Sequence, residues 1–115
     1  MSDIKQLTKK IIDFRNKRNW KQFHNPKDVA LSLVLEASEL MEHFQWKKED
    51  EIGEYVKHHK EHIGDEMADV LNYLLLLAHD LKIDIKEASE RKLKKNNLKY
   101  PVKLSKNKKE KYNKL

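Results

Sequence analysis

The sequence predicts an all-α protein, a bundle of four to five helices that is completed by oligomerisation. Of the 115 residues, 38% are charged and 38% are hydrophobic, and Leu, Lys and Glu dominate, a composition typical of helical proteins. Gly and Pro number only two each, too few for the many tight turns of a β-sandwich or barrel. Because the apolar fraction is low for so short a chain, we expect a partner subunit to complete part of the core.

Periodicity and capping residues place the first two helices. Apolar residues at helical spacing predict an amphipathic helix over residues 3–17. The aromatic segment that follows has no helical period. Asn25 is an N-cap residue, and Pro26 suits the first helical position, so a second helix begins here. We expect it to continue to Phe44 or Trp46.

The second half of the chain is less regular. Residues 47–59 are polar, with a short helix expected around residues 51–55. A long helix is predicted over about residues 60–81. Asp84 is the expected N-cap of a further helix over about residues 85–97, which the pair at residues 100–101, Tyr-Pro, terminates.

Charge is divided unevenly along the chain. Residues 91–115 hold eleven basic residues and one acid, a net charge of +10, whereas residues 1–90 hold fourteen basic residues and eighteen acids, a net charge of −4. We therefore expect a domain over residues 1–101 and a basic, flexible tail over residues 102–115.

Cysteine is absent, which excludes disulfides and Cys-ligated zinc. No apolar run approaches the ~20 residues of a membrane span and no secretory signal is evident, so a cytoplasmic location is expected.

Two pairs of carboxylates stand out because they lie on helices that are apolar over most of their circumference. Glu36 and Glu39 are three residues apart on the second predicted helix, and Glu66 and Asp69 repeat the spacing on the third. Neither residues 28–46 nor residues 63–81 contain a Lys or Arg that would relieve the repulsion. Burying unpaired carboxylates costs several kcal/mol each, so four of them converging would suit a hard cation, Mg²⁺ or Mn²⁺.

Other interpretations of the polar residues remain open at this point. The acids would also be satisfied in a solvated groove or by lysines of other helices. A di-iron bundle needs Glu-x-x-His motifs, and neither Glu36, Glu39 nor Glu66 has a histidine three residues on. The histidines near the third helix are interpreted as exposed side chains rather than as metal ligands: His58, His59 and His62.

The motifs together resemble the MazG-like all-α nucleotide pyrophosphohydrolase superfamily, and within it the dCTP pyrophosphatase branch. The resemblance rests on EASELMEHFQW at residues 36–46 and DEMADVLNYL at residues 65–74. It extends upstream through Phe-Arg at residues 14–15 and RNWKQFH at residues 18–24, and downstream through Lys92, Asn96 and the Tyr-Pro pair. It covers about residues 7–101 and leaves the tail outside.

This resemblance implies a reaction and a metal site. Members of the superfamily cleave the α–β phosphoanhydride of nucleoside triphosphates with Mg²⁺, giving the monophosphate and pyrophosphate, and so cleanse the nucleotide pool. The preferred substrate would be dCTP or a related pyrimidine nucleotide. Four residues match the family's metal ligands: Glu36, Glu39, Glu66 and Asp69. We expect Glu39 also to position or deprotonate the attacking water.

The resemblance also implies a substrate pocket. Four residues match positions that surround the base and sugar: Trp20, His24, Trp46 and Tyr73. Lys92 and Asn96, one turn apart, match phosphate-contacting positions. Ordinary core packing is the alternative for the aromatic residues, and a solvated charge is the alternative for Lys92. Leu35 and Ser38 stand where small residues, often Gly, are common in the family, which bears on pocket shape and base preference.

Two function classes remain after these arguments. The first is the hydrolase, acting as a homodimer or homotetramer whose pockets often borrow residues from a neighbouring subunit, with no membrane or nucleic-acid partner. The alternative is a small basic helical module that binds nucleic acid or another protein, supported by the +10 segment at the C-terminal end. That alternative leaves both acidic pairs unexplained and gives the folded body a net negative charge.

Overall fold

The computed structural model describes residues 2–109 of the chain, and these residues form helices and no strand. The predicted all-α fold with four to five helices is therefore confirmed. In chain order the elements are α1 (Asp3–Lys17), a 3₁₀ turn (Lys21–Phe23), α2 (Pro26–Glu42), α3 (Glu49–Asp80), α4 (Ile85–Lys99) and α5 (Val102–Ser105). They divide into two compact units, one ending at Lys82 and the other beginning at Ile83. Within the described residues, no helix is long and apolar enough to cross a bilayer.

Two helices of the first unit begin at side-chain caps, of which Asn25 was predicted and Ser2 was not. The Ser2 hydroxyl accepts a hydrogen bond from the Lys5 N–H at 3.3 Å and begins α1, whose bounds match the prediction. The Asn25 side chain accepts from the Asp28 N–H at 2.9 Å, with Pro26 at the first position of α2. Such caps satisfy N–H groups that have no partner inside the helix.

The end of α2 and the start of α3 differ from the prediction. α2 ends at Glu42, because the N–H of Phe44 bonds the carbonyl three residues back, at 2.9 Å, and the chain turns. α3 runs over Glu49–Asp80 and includes both segments that were predicted as separate helices. Its backbone leaves helical geometry at His59 (φ −125°, ψ 17°). There the His59 ring Nδ1–H donates to the Tyr55 carbonyl at 2.9 Å. The same carbonyl is the acceptor of a backbone hydrogen bond in a regular α-helix, and such side-chain competition is a known cause of helix kinks.

α3 is the central helix of the first unit, since both α1 and α2 pack against it. Five apolar side chains are buried: Val29, Ile63, Leu75, Leu76 and Ala78. Much of the apolar surface predicted to be buried on α2 and α3 is instead exposed in the single chain, including Leu31, Val34, Leu35, Met41, Met67 and Leu71. Within the described part of the first unit, α3 alone packs extensively on α2. One neighbour shields only part of a helix that is apolar on most sides.

The second unit contains α4 and α5. The Asp84 carboxylate accepts from the Glu87 N–H at 3.0 Å and begins α4, as predicted. α4 ends at Lys99, immediately before the Tyr-Pro pair, where the residue preceding proline disfavours helical geometry. The short α5 lies inside the segment predicted to be a flexible tail. Residues 110–115 of that segment lie outside the described residues.

Candidate active site

The four predicted carboxylates lie close to one another where α2 packs on α3. Burial raises the pKa of Glu36, and a hydrogen bond to Glu39 and the negative charges of Glu39, Asp69 and Glu66 raise it further. Charges that shift the pKa of another group lie in its neighbourhood. Both acidic pairs therefore contribute to one cluster, which we call the carboxylate cluster: Glu36, Glu39, Glu66 and Asp69.

Two oxygens of the carboxylate cluster are left without hydrogen-bond donors. Oε2 of Glu36 and Oε2 of Glu66 are buried and accept no hydrogen bond of acceptable geometry from residues 2–109. A buried carboxylate without a donor is costly unless a cation lies beside it. Oxygen donors from carboxylates are what Mg²⁺ and Mn²⁺ prefer, so these residues fit such an ion.

His43 is a member of this neighbourhood that sequence reasoning missed. Its side chain is buried, and its Nε2 lies 2.9 Å from Glu66 Oε2, although the angles fall short of a hydrogen bond. Its Nδ1 lies 2.6 Å from the Tyr55 hydroxyl. Its only sequence signal is its position next to the polar residues of α2. Its contact with Tyr55 depends on how the short helix predicted around residues 51–55 continues into α3 and packs beside the end of α2.

A cavity of about 340 Å³ lies against α1 and α3. Its lining includes Trp20, His24, Tyr73 and Asp69, four of the predicted site residues, together with Phe14. Trp20 packs edge-on against Phe14, with ring centroids 5.8 Å apart, and remains 44% exposed. Asp69 belongs both to this cavity and to the carboxylate cluster, so a ligand in the cavity would lie beside the acids.

His24 presents a neutral ring to the cavity. Burial lowers its pKa, as do the positive charges of Arg15 and Lys21, while Asp80 opposes them. Its Nδ1 is buried and has no hydrogen-bond partner within the described structure. A neutral imidazole has one donor and one acceptor nitrogen, so His24 can form a directional hydrogen bond with a ligand there.

A buried ion pair supports the cavity wall, and sequence reasoning missed this as well. Arg15, which lines the cavity, donates from Nη1 and Nη2 to the two carboxylate oxygens of Asp80, at 2.8 and 2.9 Å. The side chains are 3% and 7% exposed, and Lys21 Nζ lies 3.8 Å from Asp80. Hydrogen bonds from Arg15 are the main cause of the lowered pKa of Asp80. The pair fixes α1 against the end of α3.

Of the remaining predicted substrate-binding residues, one belongs to the first unit and two belong to the second. Trp46 is 84% exposed in the turn after α2 and does not line the cavity. Lys92 and Asn96 lie one turn apart on α4 of the second unit, where Lys92 is exposed and Asn96 is half-buried. The predicted exposure of His58, His59 and His62 is confirmed.

Comparison with known proteins places the chain in a family. A sequence model of the MazG-like family matches residues 31–115. The chain belongs to the MazG-like family. The sequence resemblance recognised from the two acidic motifs is thereby confirmed.

Relatives of this MazG-like chain include named enzymes. dCTP pyrophosphatase 1 of Bos taurus is 37% identical over 107 residues, which are 91% of this chain and 62% of that protein. The Homo sapiens protein of the same name is 35% identical over 117 residues, covering 100% of this chain and 67% of that protein. The chain thus spans less than two thirds of the bovine relative. The crystal structure of a pyrophosphatase from Archaeoglobus fulgidus DSM 4304 matches with a TM-score of 0.83 and 39% identity, over 88% of this chain and 94% of that one.

Proposed function

We propose that the protein is a Mg²⁺-dependent nucleoside triphosphate pyrophosphohydrolase. It cleaves the α–β phosphoanhydride of a nucleotide, with dCTP or a related pyrimidine nucleotide as the preferred substrate, and releases the monophosphate and pyrophosphate. Removal of unwanted nucleotides from the cytoplasmic pool would be its role. The observation that carries the proposal is the position of Asp69, which joins the carboxylate cluster to an aromatic cavity of about 340 Å³. The dCTP pyrophosphatase names of the relatives support this substrate class.

The carboxylate cluster would hold the metal. Glu36 and Glu39 from α2 and Glu66 and Asp69 from α3 would supply oxygen ligands. Among the described residues, the buried Oε2 atoms of Glu36 and Glu66 accept no hydrogen bond, although Glu66 Oε2 lies 2.9 Å from His43 Nε2. The ion would neutralise and orient the triphosphate and lower the pKa of a water molecule. With a cation present, the ionised form of Glu36 would be favoured, which reverses the upward pKa shift caused by its acidic neighbours.

Glu39 is our candidate for the general base. Its side chain is exposed to solvent, and it neighbours the half-buried Glu36, whose pKa it raises, so it can contact water beside the proposed metal ligands. In the proposed step the oxygen of a water molecule attacks the α-phosphorus. The bond between that phosphorus and the α–β bridging oxygen breaks, and pyrophosphate leaves. Glu39 accepts the proton of that water.

The cavity would hold the base and sugar. Trp20 and Tyr73 offer aromatic faces, and stacking contributes about 1–3 kcal/mol per base in single-strand binders. His24 would donate or accept a hydrogen bond through its unpartnered Nδ1. Because the substrate is anionic, a neutral His24 serves orientation rather than charge neutralisation.

The remaining contacts would come from elsewhere in the assembly. We propose that the chain forms a homodimer or homotetramer through the exposed apolar residues of α2 and α3, such as Leu35 (64% exposed). Trp46, at 84% exposure, would then contribute to the base pocket of a neighbouring subunit. Lys92 and Asn96 would contact phosphate oxygens.

A substrate panel tests the proposal. The purified chain is incubated with each dNTP, with and without Mg²⁺, and the monophosphate and pyrophosphate are quantified by chromatography and a coupled assay. We expect equal amounts of the two products, only with the metal, and the highest kcat/KM with a pyrimidine dNTP. Release of the diphosphate and inorganic phosphate instead would contradict the proposed bond cleavage.

Matched variants separate the site from general charge effects. Glu39→Gln removes the proposed base, whereas Glu61→Gln removes one exposed acid of α3 outside the carboxylate cluster. We expect kcat to fall roughly 100-fold or more for Glu39→Gln, since general bases contribute about 10²–10⁴-fold, and to stay unchanged for Glu61→Gln. Equal activity of the two variants, with the circular dichroism of the wild type, would refute the role of Glu39.

A further inference from the structure

A second group of potential ligands lies beside the carboxylate cluster. The ligand atoms of His43, His62 and Glu66 all lie within 4.8 Å of one another. His43 is 7% exposed, and its Nε2 lies 2.9 Å from Glu66 Oε2 without forming a hydrogen bond of good geometry. The exposed His62 ring approaches from the solvent side, 5.8 Å from the His43 ring between centroids. A buried imidazole nitrogen that makes no hydrogen bond among the described residues thus lies near a second imidazole and a carboxylate.

The chemistry of this group differs from that of the carboxylate cluster. Two imidazoles and one carboxylate suit a borderline cation such as Zn²⁺ better than Mg²⁺, which prefers oxygen ligands. Tetrahedral Zn²⁺ at about 2.0–2.1 Å from each donor sets its donors about 3.3 Å apart. The His43–Glu66 separation of 2.9 Å is already near that value. The solvent-exposed His62 side chain can rotate so that its ring nitrogen reaches the same distance from the other two ligand atoms.

Tyr55 holds His43 in the orientation that a metal site requires. The Tyr55 hydroxyl lies 2.6 Å from His43 Nδ1. In the tautomer that donates the Nδ1–H to the phenolic oxygen, Nε2 is free to act as a ligand. Tyr55 is itself fixed, because it stacks on His59 with centroids 4.0 Å apart, and Lys47 Nζ lies 3.8 Å from its ring centroid. The kink of α3 at His59 is therefore part of the same arrangement.

We propose that His43, His62 and Glu66 form a second metal site, which binds a borderline divalent cation such as Zn²⁺. Solvent water completes the coordination, since His62 lines an open depression of about 360 Å³ that includes His58 and Asp65. The proposal is tied to the proposed function only through Glu66, which would contribute to both sites.

Zinc titration of the metal-free full chain tests the site. Affinity and stoichiometry are measured by competition with a chromogenic chelator, in millimolar Mg²⁺, and Co²⁺ is added separately to record the visible absorption of a low-coordinate complex. We expect one Zn²⁺ per chain, retained in Mg²⁺. His62→Ala should weaken binding at least about 100-fold, more than the roughly 10–100-fold typical of outer-shell partners. His58→Ala is the matched control, because His58 is exposed on the same helix and pairs with Glu54 at 2.9 Å, and should leave the affinity unchanged.

A second variant tests the orienting contact and avoids any change to a ligand. Tyr55→Phe removes the hydroxyl beside His43 Nδ1 and should weaken Zn²⁺ binding about 10- to 100-fold. Equal affinities for His62→Ala and His58→Ala, or no stoichiometric Zn²⁺ in the wild type, would overturn the proposal and leave His43 only as a contact of Glu66.

Glu36→Gln distinguishes this proposal from the proposed function. Glu36 belongs to the carboxylate cluster but not to the second site, so this variant should lose Mg²⁺-dependent hydrolysis and keep its Zn²⁺ affinity. Hydrolysis without Zn²⁺ binding would refute the second site alone, whereas Zn²⁺ binding without hydrolysis would refute the proposed function alone.

Discussion

The buried Arg15–Asp80 pair provides a quantitative prediction for Asp80→Asn. Both guanidinium–carboxylate distances are below 3 Å, and both side chains are less than 10% exposed. Removing one partner of a buried pair costs about 3–5 kcal/mol, because the other charge stays buried. Asparagine keeps the shape of Asp80 and can still accept one hydrogen bond, so we expect a loss of about 3 kcal/mol. For a domain of this size, a loss of about 1 kcal/mol in the free energy of unfolding lowers the melting temperature by about 4 °C, so the melting temperature should fall by about 12 °C.

The pH dependence of this loss follows from the pKa of Asp80. Hydrogen bonds from Arg15 and the charges of Arg15, Lys21 and His79 hold that pKa below its usual value of 3.8, against the opposing effect of burial. A depressed pKa means that the ionised carboxylate stabilises the folded state above the unfolded pKa, and that this contribution disappears as the pH falls through the folded pKa. The difference between wild type and Asp80→Asn should therefore be complete at pH 7 and shrink below about pH 4.

Urea unfolding followed by circular dichroism at a fixed protein concentration measures both effects. Asp13→Asn is the control, since Asp13 is an exposed acid of α1, and its stability should stay within about 0.5 kcal/mol of the wild type. Equal stability of Asp80→Asn and wild type at pH 7, or a difference that persists unchanged at pH 3, would refute the reasoning.

Three further predictions concern activity and assembly. Glu36→Gln should lower kcat/KM at least about 100-fold for every base, since it removes a metal ligand worth several kcal/mol; a loss confined to one base in the dNTP panel would contradict this. Trp46→Ala should raise KM about fivefold to 100-fold with little change in kcat, and unchanged steady-state kinetics on all substrates would remove Trp46 from the base pocket. Leu35→Glu should reduce the mass seen in sedimentation to that of a monomer, because it buries a charge in the proposed interface; an unchanged assembly would place the interface elsewhere.

Local sequence signals predicted the helices well where caps mark their ends. Apolar periodicity and the Asn25 cap act at short range, so α1 and the start of α2 followed from the sequence. The polar character of residues 47–59 hid the fact that most of them belong to α3. Tyr55 contacts His43 and His59 there, and the contact with His43 follows from tertiary packing rather than from a local sequence pattern. The boundary expected near residue 60 corresponds to the kink at His59 rather than to a helix end.

Helical spacing predicted which site residues share one side of a helix, but not which residues of different helices meet. Glu36 and Glu39 share one side of α2 because they are three residues apart, and the absence of nearby basic residues marked them as unusual. The Arg15–Asp80 pair joins residues 65 positions apart, and the approach of His43 to Glu66 depends on how two helices pack. Contacts of this kind follow from tertiary packing and not from periodicity.

Direct measurement of metal binding tests the central claim that acids from both helices share one cation. Mn²⁺ is titrated into the chain with a non-hydrolysable α,β-imido analogue of dCTP, and free Mn²⁺ is followed by electron paramagnetic resonance. Glu36→Gln on α2 and Asp69→Asn on α3 should each weaken binding by at least about tenfold, as expected for loss of a ligand, while Glu61→Gln should not. Wild-type Mn²⁺ affinity in either of the first two variants would contradict the claim.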